Sequence, residues 1–296
     1  MTDILSEIIS ELSGPLDPMA TEAESSLVEL TGIKAVLFDI YGTLIISGSG
    51  DVGAHAETLP AEALLAALQA VGLPEFPEPE RGVVILHETI SAHQEMHRLD
   101  EIQYPEIDIL SVWQDVLNRY CEEGWIDVVL TPEIRRQLAV EYECRVNPVW
   151  PMPGLKETLA GISEAGYELG IISNAQFFTP LLFPVLCRAT LEEFGFRPDL
   201  QIYSYRYLRA KPGQFLYQQA ADMLKTLGIS PEETLYIGND MLKDIWPASQ
   251  IGFKTALFAG DARSLRWRND DDRVKEVRPD LVVTDLRQLL TALGIG

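Results

Sequence analysis

Cysteine and histidine are scarce in this chain: three Cys and four His among 296 residues. Cys121, Cys144 and Cys187 lie far apart and make no CxxC pair, which argues against a disulfide framework or a thiolate metal site. Reduced thiols fit a cytoplasmic setting. Positive charge is scarce too. Only 23 basic residues stand against 45 acidic ones, for a formal net charge of -22. Such a surface repels phosphate backbones and anionic lipid, so nucleic acid and membranes are set aside as partners. A site for an anion must then build its own local positive field. No apolar run approaches the roughly 18 residues that a transmembrane helix requires. The opening MTDILSEIIS has no basic n-region of the kind a signal peptide carries. The chain does have apolar bulk, with 47% hydrophobic residues and a mean hydropathy of +0.04, enough to bury a sizeable core.

Residues 1–13 predict a short amphipathic helix with Ile4, Leu5, Ile8, Ile9 and Leu12 on one side, followed by an acidic linker over 14–26. Residues 1–30 read as an extension that packs on the core or on a second copy, and a homodimer through this helix is one expectation. Ile33–Phe38 is a nearly continuous apolar run, the pattern of a strand buried on both faces of a parallel sheet. Similar runs recur at 168–173, 200–204, 234–238, 254–258 and 281–283. Helical patterns lie between them at about 154–165, 179–194, 213–227, 241–250 and 285–293. This alternation predicts an α/β fold: a Rossmann-like, doubly wound parallel sheet. Residues 48–149 differ. They read as helices only, at about 60–71, 81–98, 106–122 and 132–145, and form an all-helical insertion into a core made of 31–47 and 150–296.

In a doubly wound sheet the ligand site lies beyond the carboxyl ends of the strands. Four polar motifs sit at such ends. Asp39 closes the first core strand ahead of Gly42 and Thr43, poised as a covalent nucleophile. Ser173 and Asn174 close the second and can donate to an anionic oxygen. Lys211, before Pro212, is a compact cation able to steady a phosphoryl group. Asn239 and Asp240, with Asp244 further along, are oxygen ligands suited to a hard cation such as Mg²⁺. Each alone reads blandly: a turn Asp, a helix cap, a solvated lysine, an exposed acidic face. Their joint order at strand ends outweighs those readings.

FDIYGTL, IISN, the lysine of RAKP and YIGNDMLKD resemble motifs I to IV of the haloacid dehalogenase (HAD) superfamily. The resemblance covers 31–47 and 150–296, and the helical insertion stands where this family carries a C1-type cap. It implies that Asp39 attacks the substrate and forms an ester, that Ser173 and Asn174 bind the transferring group, and that Lys211 neutralises charge. In the metal-dependent members Mg²⁺ is held by the nucleophile (here Asp39), by the backbone carbonyl two residues later (here Tyr41), and by a motif IV acid.

The chain departs from that pattern in motif I, in motif IV and in the motif III strand, which has Arg206 and Leu208 in place of the family's frequent Glu and Gly. Phosphatases of the family carry an Asp two residues after the nucleophile, which protonates the leaving oxygen and then activates water. Here that residue is Tyr41, a phenol and a poor base at neutral pH. The superfamily's haloacid dehalogenases have Tyr at this position and use no metal. Motif IV pulls the other way, because the dehalogenase pattern S-x-N-x-x-D is absent. Either Asn239 takes the first acid's place with Asp244 as the second, or Asp240 and Asp244 form the pair. The resulting expectation is a Mg²⁺-dependent phosphatase of a small phosphorylated metabolite. The alternatives are a metal-free 2-haloacid dehalogenase and a binding protein that has lost turnover.

Three features remain. His93 and His97 stand at i and i+4 on a helix, but no third zinc ligand accompanies them, and a polar face is the simpler reading. Arg263, Arg266 and Arg268 form the one basic cluster, expected to pair with Asp270, Asp271 and Asp272. Trp113, Trp125 and Trp150 read as packing residues.

Overall fold

The computed structural model describes residues 4–49, 61–73, 77–127 and 131–296. The SGSGDVGAH segment expected to open the insertion therefore falls largely outside the described residues, as do Met1–Asp3 of the first helix. Helix α1 (Ile4–Leu12) is followed by strands β1 (Ala35–Phe38) and β2 (Ile45–Ser47). Helices α2 (Ala61–Ala70), α3 (Pro79–Leu99), α4 (Ile109–Glu122) and α5 (Pro132–Val146) come next. The chain returns through β3 (Val149–Pro151), α6 (Leu155–Glu164), β4 (Glu168–Ser173) and β5 (Phe196–Tyr203). Then follow α7 (Ser204–Tyr207), α8 (Phe215–Thr226), β6 (Thr234–Gly238), α9 (Trp246–Ile251), β7 (Lys254–Phe258), β8 (Leu281–Val283) and α10 (Gln288–Ala292).

Six strands form one parallel sheet in the order β5-β4-β1-β6-β7-β8. All four residues of β1 are buried, as an apolar run covered on both faces requires. From β1 the chain builds outward to β4 and β5, then crosses back to place β6 on the other side. The order therefore reverses at β1, and the crevice beyond its carboxyl end, where Asp39 follows, is the switch point at which such sheets bind ligands.

The helical insertion leaves and re-enters through an antiparallel pair that the sequence reading missed, with Ile45 opposite Pro151 and Ser47 opposite Val149. Three-residue strands carry too little pattern to stand out. Helices α2 to α5 share an apolar cluster containing Leu64, Leu86, Trp113, Leu117, Tyr120 and Leu138. Trp113 is fully buried against the Tyr142 ring, and Trp125 lies against Tyr120, as expected of packing residues.

Two expected helices take other forms. The pattern over 179–194 becomes a 3₁₀ turn at Thr179–Leu181 and a π-turn at Phe183–Cys187. Pro180 and Pro184 lack the amide donors a continuous α-helix needs. The pattern over 241–250 opens as a π-turn at Met241–Ile245 before α9. The N-terminal linker is strapped down. The Met19 amide donates to Asp261, Thr21 Oγ1 donates to the Ala259 carbonyl, and Ser26 bridges Val282 on the sheet's edge strand. Helix α1 buries Leu5, Ile8 and Ile9 against α5 and the π-turn of its own chain, which uses the apolar face that a homodimer was expected to need. No helix among the described residues is long and apolar enough to cross a membrane.

Candidate active site

β1 delivers Asp39 into a tight loop in which the amides of Leu44 and Ile45 both donate to the Ile40 carbonyl, and that of Gly42 to Ile45. Gly42 has φ +79, and a Cβ there would come within 2.6 Å of Ser264 Cβ and 2.8 Å of Asn239 Nδ2. Only glycine lets this loop lie against the one after β6. Gly238 has a matching role, since a Cβ on it would collide with the Asp244 side chain folded beneath it.

Lys211 joins the strand ends. Its ammonium lies 2.9 Å from Asp39 Oδ1 and 2.6 Å from Asp244 Oδ1, with side-chain exposures of 3%, 9% and 1% for Lys211, Asp39 and Asp244. It also donates to Tyr236 Oη at 3.2 Å, and Tyr236 in turn donates to the Ile172 carbonyl at 3.0 Å. Burial opposes the Lys211 charge, but Asp244 and then Asp39 outweigh it and hold the amine well above its ordinary value. Burial pushes Asp244 up, against the pull of Lys211 and with Asp39 adding to the rise. One cation is thus shared between two carboxylates in a dry setting.

Asn174 fixes the lysine's backbone: its Oδ1 accepts from the Lys211 amide at 2.8 Å. Ser173 is fully buried, its hydroxyl 3.4 Å from the Asn174 carbonyl oxygen. The structure therefore brings Asp39, Lys211, Ser173, Asn174 and Asp244 to one sheet edge. Tyr236 was missed because it reads as one more apolar residue in a buried strand.

Asp240 does not join them. Its carboxylate caps the π-turn by accepting from the Leu242 and Lys243 amides and also accepts from Arg268 Nε and Nη2, the shortest of these bonds at 2.6 Å. The arginine cluster thus departs from expectation: Arg268 pairs with Asp240 and Arg263 with Asp261, because the 263–268 loop docks on the β6 end through the Arg266 backbone. Arg273 is the residue that pairs with Asp271. His93 bonds Asp115 across α3 and α4 at 2.8 Å.

Tyr41 is buried, with its hydroxyl 3.0 Å from Thr179 Oγ1. Burial, then the charge of Glu143, holds the phenol well above its ordinary pKa, which excludes it as a base near neutrality.

Among the described residues no group of three or more His, Cys, Asp or Glu side chains is placed to hold a metal. Asp244 has both oxygens engaged, by Lys211 and Tyr236 on one and by the Asp240 amide on the other. Asn239 Oδ1 accepts a long 3.2 Å bond from Thr43, and its amide donates to the Ser264 carbonyl. Of the residues expected to hold Mg²⁺, Asp39 and Asn239 keep acceptor capacity beyond their contacts to Lys211 and Thr43, and the Tyr41 backbone carbonyl is the third oxygen that the resemblance implies. This set fits a weak Mg²⁺ site, because Mg²⁺ is commonly held by one or two carboxylates plus the substrate's phosphate.

A cavity of about 310 Å³ opens beside the cluster. Asn174, Gln176 and Lys211 line it from the core, and Gln94, Arg98, Tyr104, Glu106 and Glu143 from the insertion. The two sides are stitched together. Gln176 donates to the Ile107 carbonyl and accepts from the Ile109 amide, Ser204 donates to Glu106, and the Ala210 amide donates to the Tyr104 carbonyl. Nothing in the sequence marked Glu106, Glu143 or Gln176, because their role exists only where insertion and core meet.

The model of the haloacid dehalogenase-like hydrolase family matches residues 33–252. The chain is 28% identical over 142 residues to a glyceraldehyde 3-phosphate phosphatase of Pyrococcus furiosus, which is 48% of this chain and 54% of that one. A protein of the same name from Methanopyrus kandleri is 28% identical over 141 residues, covering 47% and 55%. The matches thus span about half the length of these relatives. The solved 2-haloacid dehalogenase of Pseudomonas syringae shares the fold at 21% identity and a TM-score of 0.55, over 88% of this chain and 98% of that one. With its parallel sheet, helical insertion and matched family, the chain belongs to the haloacid dehalogenase-like hydrolases.

Proposed function

We propose that the chain is a phosphatase of small phosphorylated metabolites, working in the cytoplasm through an aspartyl-phosphate on Asp39, with 48–149 acting as a cap over a core of 31–47 and 150–296. The observation that carries this reading is the buried Lys211 between Asp39 and Asp244 at the wall of the cavity. A carboxylate nucleophile and a phosphate repel each other, and a fixed cation at that point offsets the repulsion. The phosphatase names of the partial relatives support it. Asp39, the Tyr41 carbonyl and Asn239 would hold Mg²⁺, which supplies charge neutralisation for the phosphoryl oxygens. Asp39 attacks phosphorus, Lys211 steadies the charge that gathers there, and Asn174 keeps Lys211 in register. Ser173 offers its hydroxyl to the transferring group.

One observation favours a second reading. Tyr41 stands where the phosphatases have their acid/base and is bonded to Thr179, which suits a leaving group that requires no proton, such as halide. Phosphate release from p-nitrophenyl phosphate and a panel of sugar phosphates, with Mg²⁺ and with EDTA, tests both. Mg²⁺-dependent turnover that drops by about 10⁴-fold or more in Asp39→Asn is expected. Halide release from 2-haloacids without phosphatase turnover overturns the phosphatase reading in favour of the second.

A further inference from the structure

Phosphoryl transfer from an alkyl ester requires a proton for the leaving oxygen, then a base for the water that opens the aspartyl-phosphate. The residue two after Asp39 cannot supply that base. Tyr41 is a buried phenol bonded to Thr179. Asp240 and Asp244 are consumed by Arg268, Lys211 and backbone amides. Of the two carboxylates lining the cavity, Glu106 accepts from Ser204 at 2.7 Å and from the Ile107 amide at 2.9 Å.

Glu143 is the other. It sits in the last turn of α5 and lines the same cavity as Lys211 and Asn174. Its Oε1 accepts one bond, from Asn147 Nδ2 at 3.0 Å, and Oε2 takes none from any described residue. Asn147 is itself anchored, its Oδ1 accepting from Ser47 Oγ and the Ser49 amide, so Glu143 is steadied from the stem where the insertion joins the core.

We propose that Glu143 is the proton-transfer group of this hydrolase, supplied by the helical insertion in place of the residue two after the nucleophile. The proposal rests on the phosphatase reading. In the first half-reaction an Asp39 oxygen bonds to phosphorus and the P–O bond to the leaving group breaks. The electron pair goes to that oxygen, which takes the Glu143 proton and departs as the alcohol. In the second, water bonds to phosphorus and gives one proton to the Glu143 carboxylate. The P–O bond to Asp39 breaks, its electron pair returns to the Asp39 carboxylate, and phosphate leaves with Glu143 again protonated. Burial raises the Glu143 carboxyl, countered only by the Asn147 bond, which favours the protonated form needed at the start.

The test compares esters that differ in their need for a proton. p-Nitrophenolate leaves without one, whereas the alcohol of a sugar phosphate does not. In Glu143→Gln, kcat/KM for the best sugar phosphate of the panel should fall about 10²- to 10⁴-fold, while that for p-nitrophenyl phosphate falls less than about threefold. The aspartyl-phosphate should accumulate with p-nitrophenyl phosphate, because the base for water is gone. Glu141→Gln, on the same helix and paired with Arg145, should match wild type. If Glu143→Gln does not fold, Glu143→Asp should shift the ratio between the two esters in the same direction. Equal losses on both esters, or no loss on either, overturn the proposal while the phosphatase reading stands. So does a wild-type protein that cleaves only p-nitrophenyl phosphate. A wild-type protein that cleaves neither ester ends the phosphatase reading, and this proposal with it.

Discussion

The strand-end face of the core and the helical insertion handle charge in opposite ways. At the strand ends, Lys211, Asp39 and Asp244 are buried and locked to one another and to Tyr236. In the insertion, ionic contacts such as Arg81–Glu88, Arg119–Glu88 and Arg98–Glu95 lie on the surface, where they contribute little, while its interior is an apolar cluster around Trp113 and Leu117. The core therefore fixes charge by backbone geometry, at a desolvation cost that only complete pairing offsets. The insertion is held by packing, and it bears a desolvation cost of its own at Glu143, which lines the cavity. The two regions meet at the cavity, where Lys211 and Asn174 of the core face Glu106 and Glu143 of the insertion.

The largest effect should come from breaking the buried charge set. Lys211→Met leaves Asp39 and Asp244 facing each other without a cation and should cost roughly 3–5 kcal/mol of stability at neutral pH, read by urea unfolding. Because burial already raises Asp244, the loss should shrink at acidic pH as that carboxyl takes up a proton, and Asp244→Asn in the same chain should recover part of it. A loss that is the same at every pH would mean the carboxylates do not depend on Lys211. In the insertion, Leu117→Ala removes a fully buried side chain from the apolar cluster and should cost about 2–5 kcal/mol. That loss should show no pH dependence, since packing rather than ionisation is removed. A pH-dependent loss there would blur the contrast between the two regions.

The sequence made the core readable for a physical reason. Doubly buried strands have to be short continuous apolar runs, and the residues that end two of them, Asp39 and Ser173 with Asn174, are carried to one edge by topology alone, whereas Lys211 and Asp244 lie beyond the ends of β5 and β6 and were named from the motif resemblance. Asp240 could not be separated from Asp244 in that way. Which acid turns inward depends on the π-turn at Met241–Ile245 and on Arg268, 28 residues further along. The helix expected over 179–194 failed because periodicity records apolar spacing but not the missing amides of Pro180 and Pro184. Glu106, Glu143 and Gln176 were illegible because their significance is a meeting of distant segments, which no local pattern encodes.

The smallest expected effect tests whether the insertion holds one charge-sensitive group where it faces the core. Burial raises the Glu143 carboxyl, so the folded chain holds that proton more tightly than the unfolded one. The stabilisation is fully present below the ordinary glutamate range, near 4.5, and is lost as pH rises through the raised value. Above that window the wild type carries a desolvated carboxylate that Glu143→Gln would not, while the glutamine still accepts from Asn147. Where Glu143 is ionised the variant should be more stable than wild type, and the difference should vanish toward the bottom of the window. Urea unfolding of both proteins across that range reads it directly. A difference that stays constant with pH would place Glu143 among the insertion's ordinary surface charges, and the cavity wall would then be as electrostatically indifferent as the rest of the helical layer.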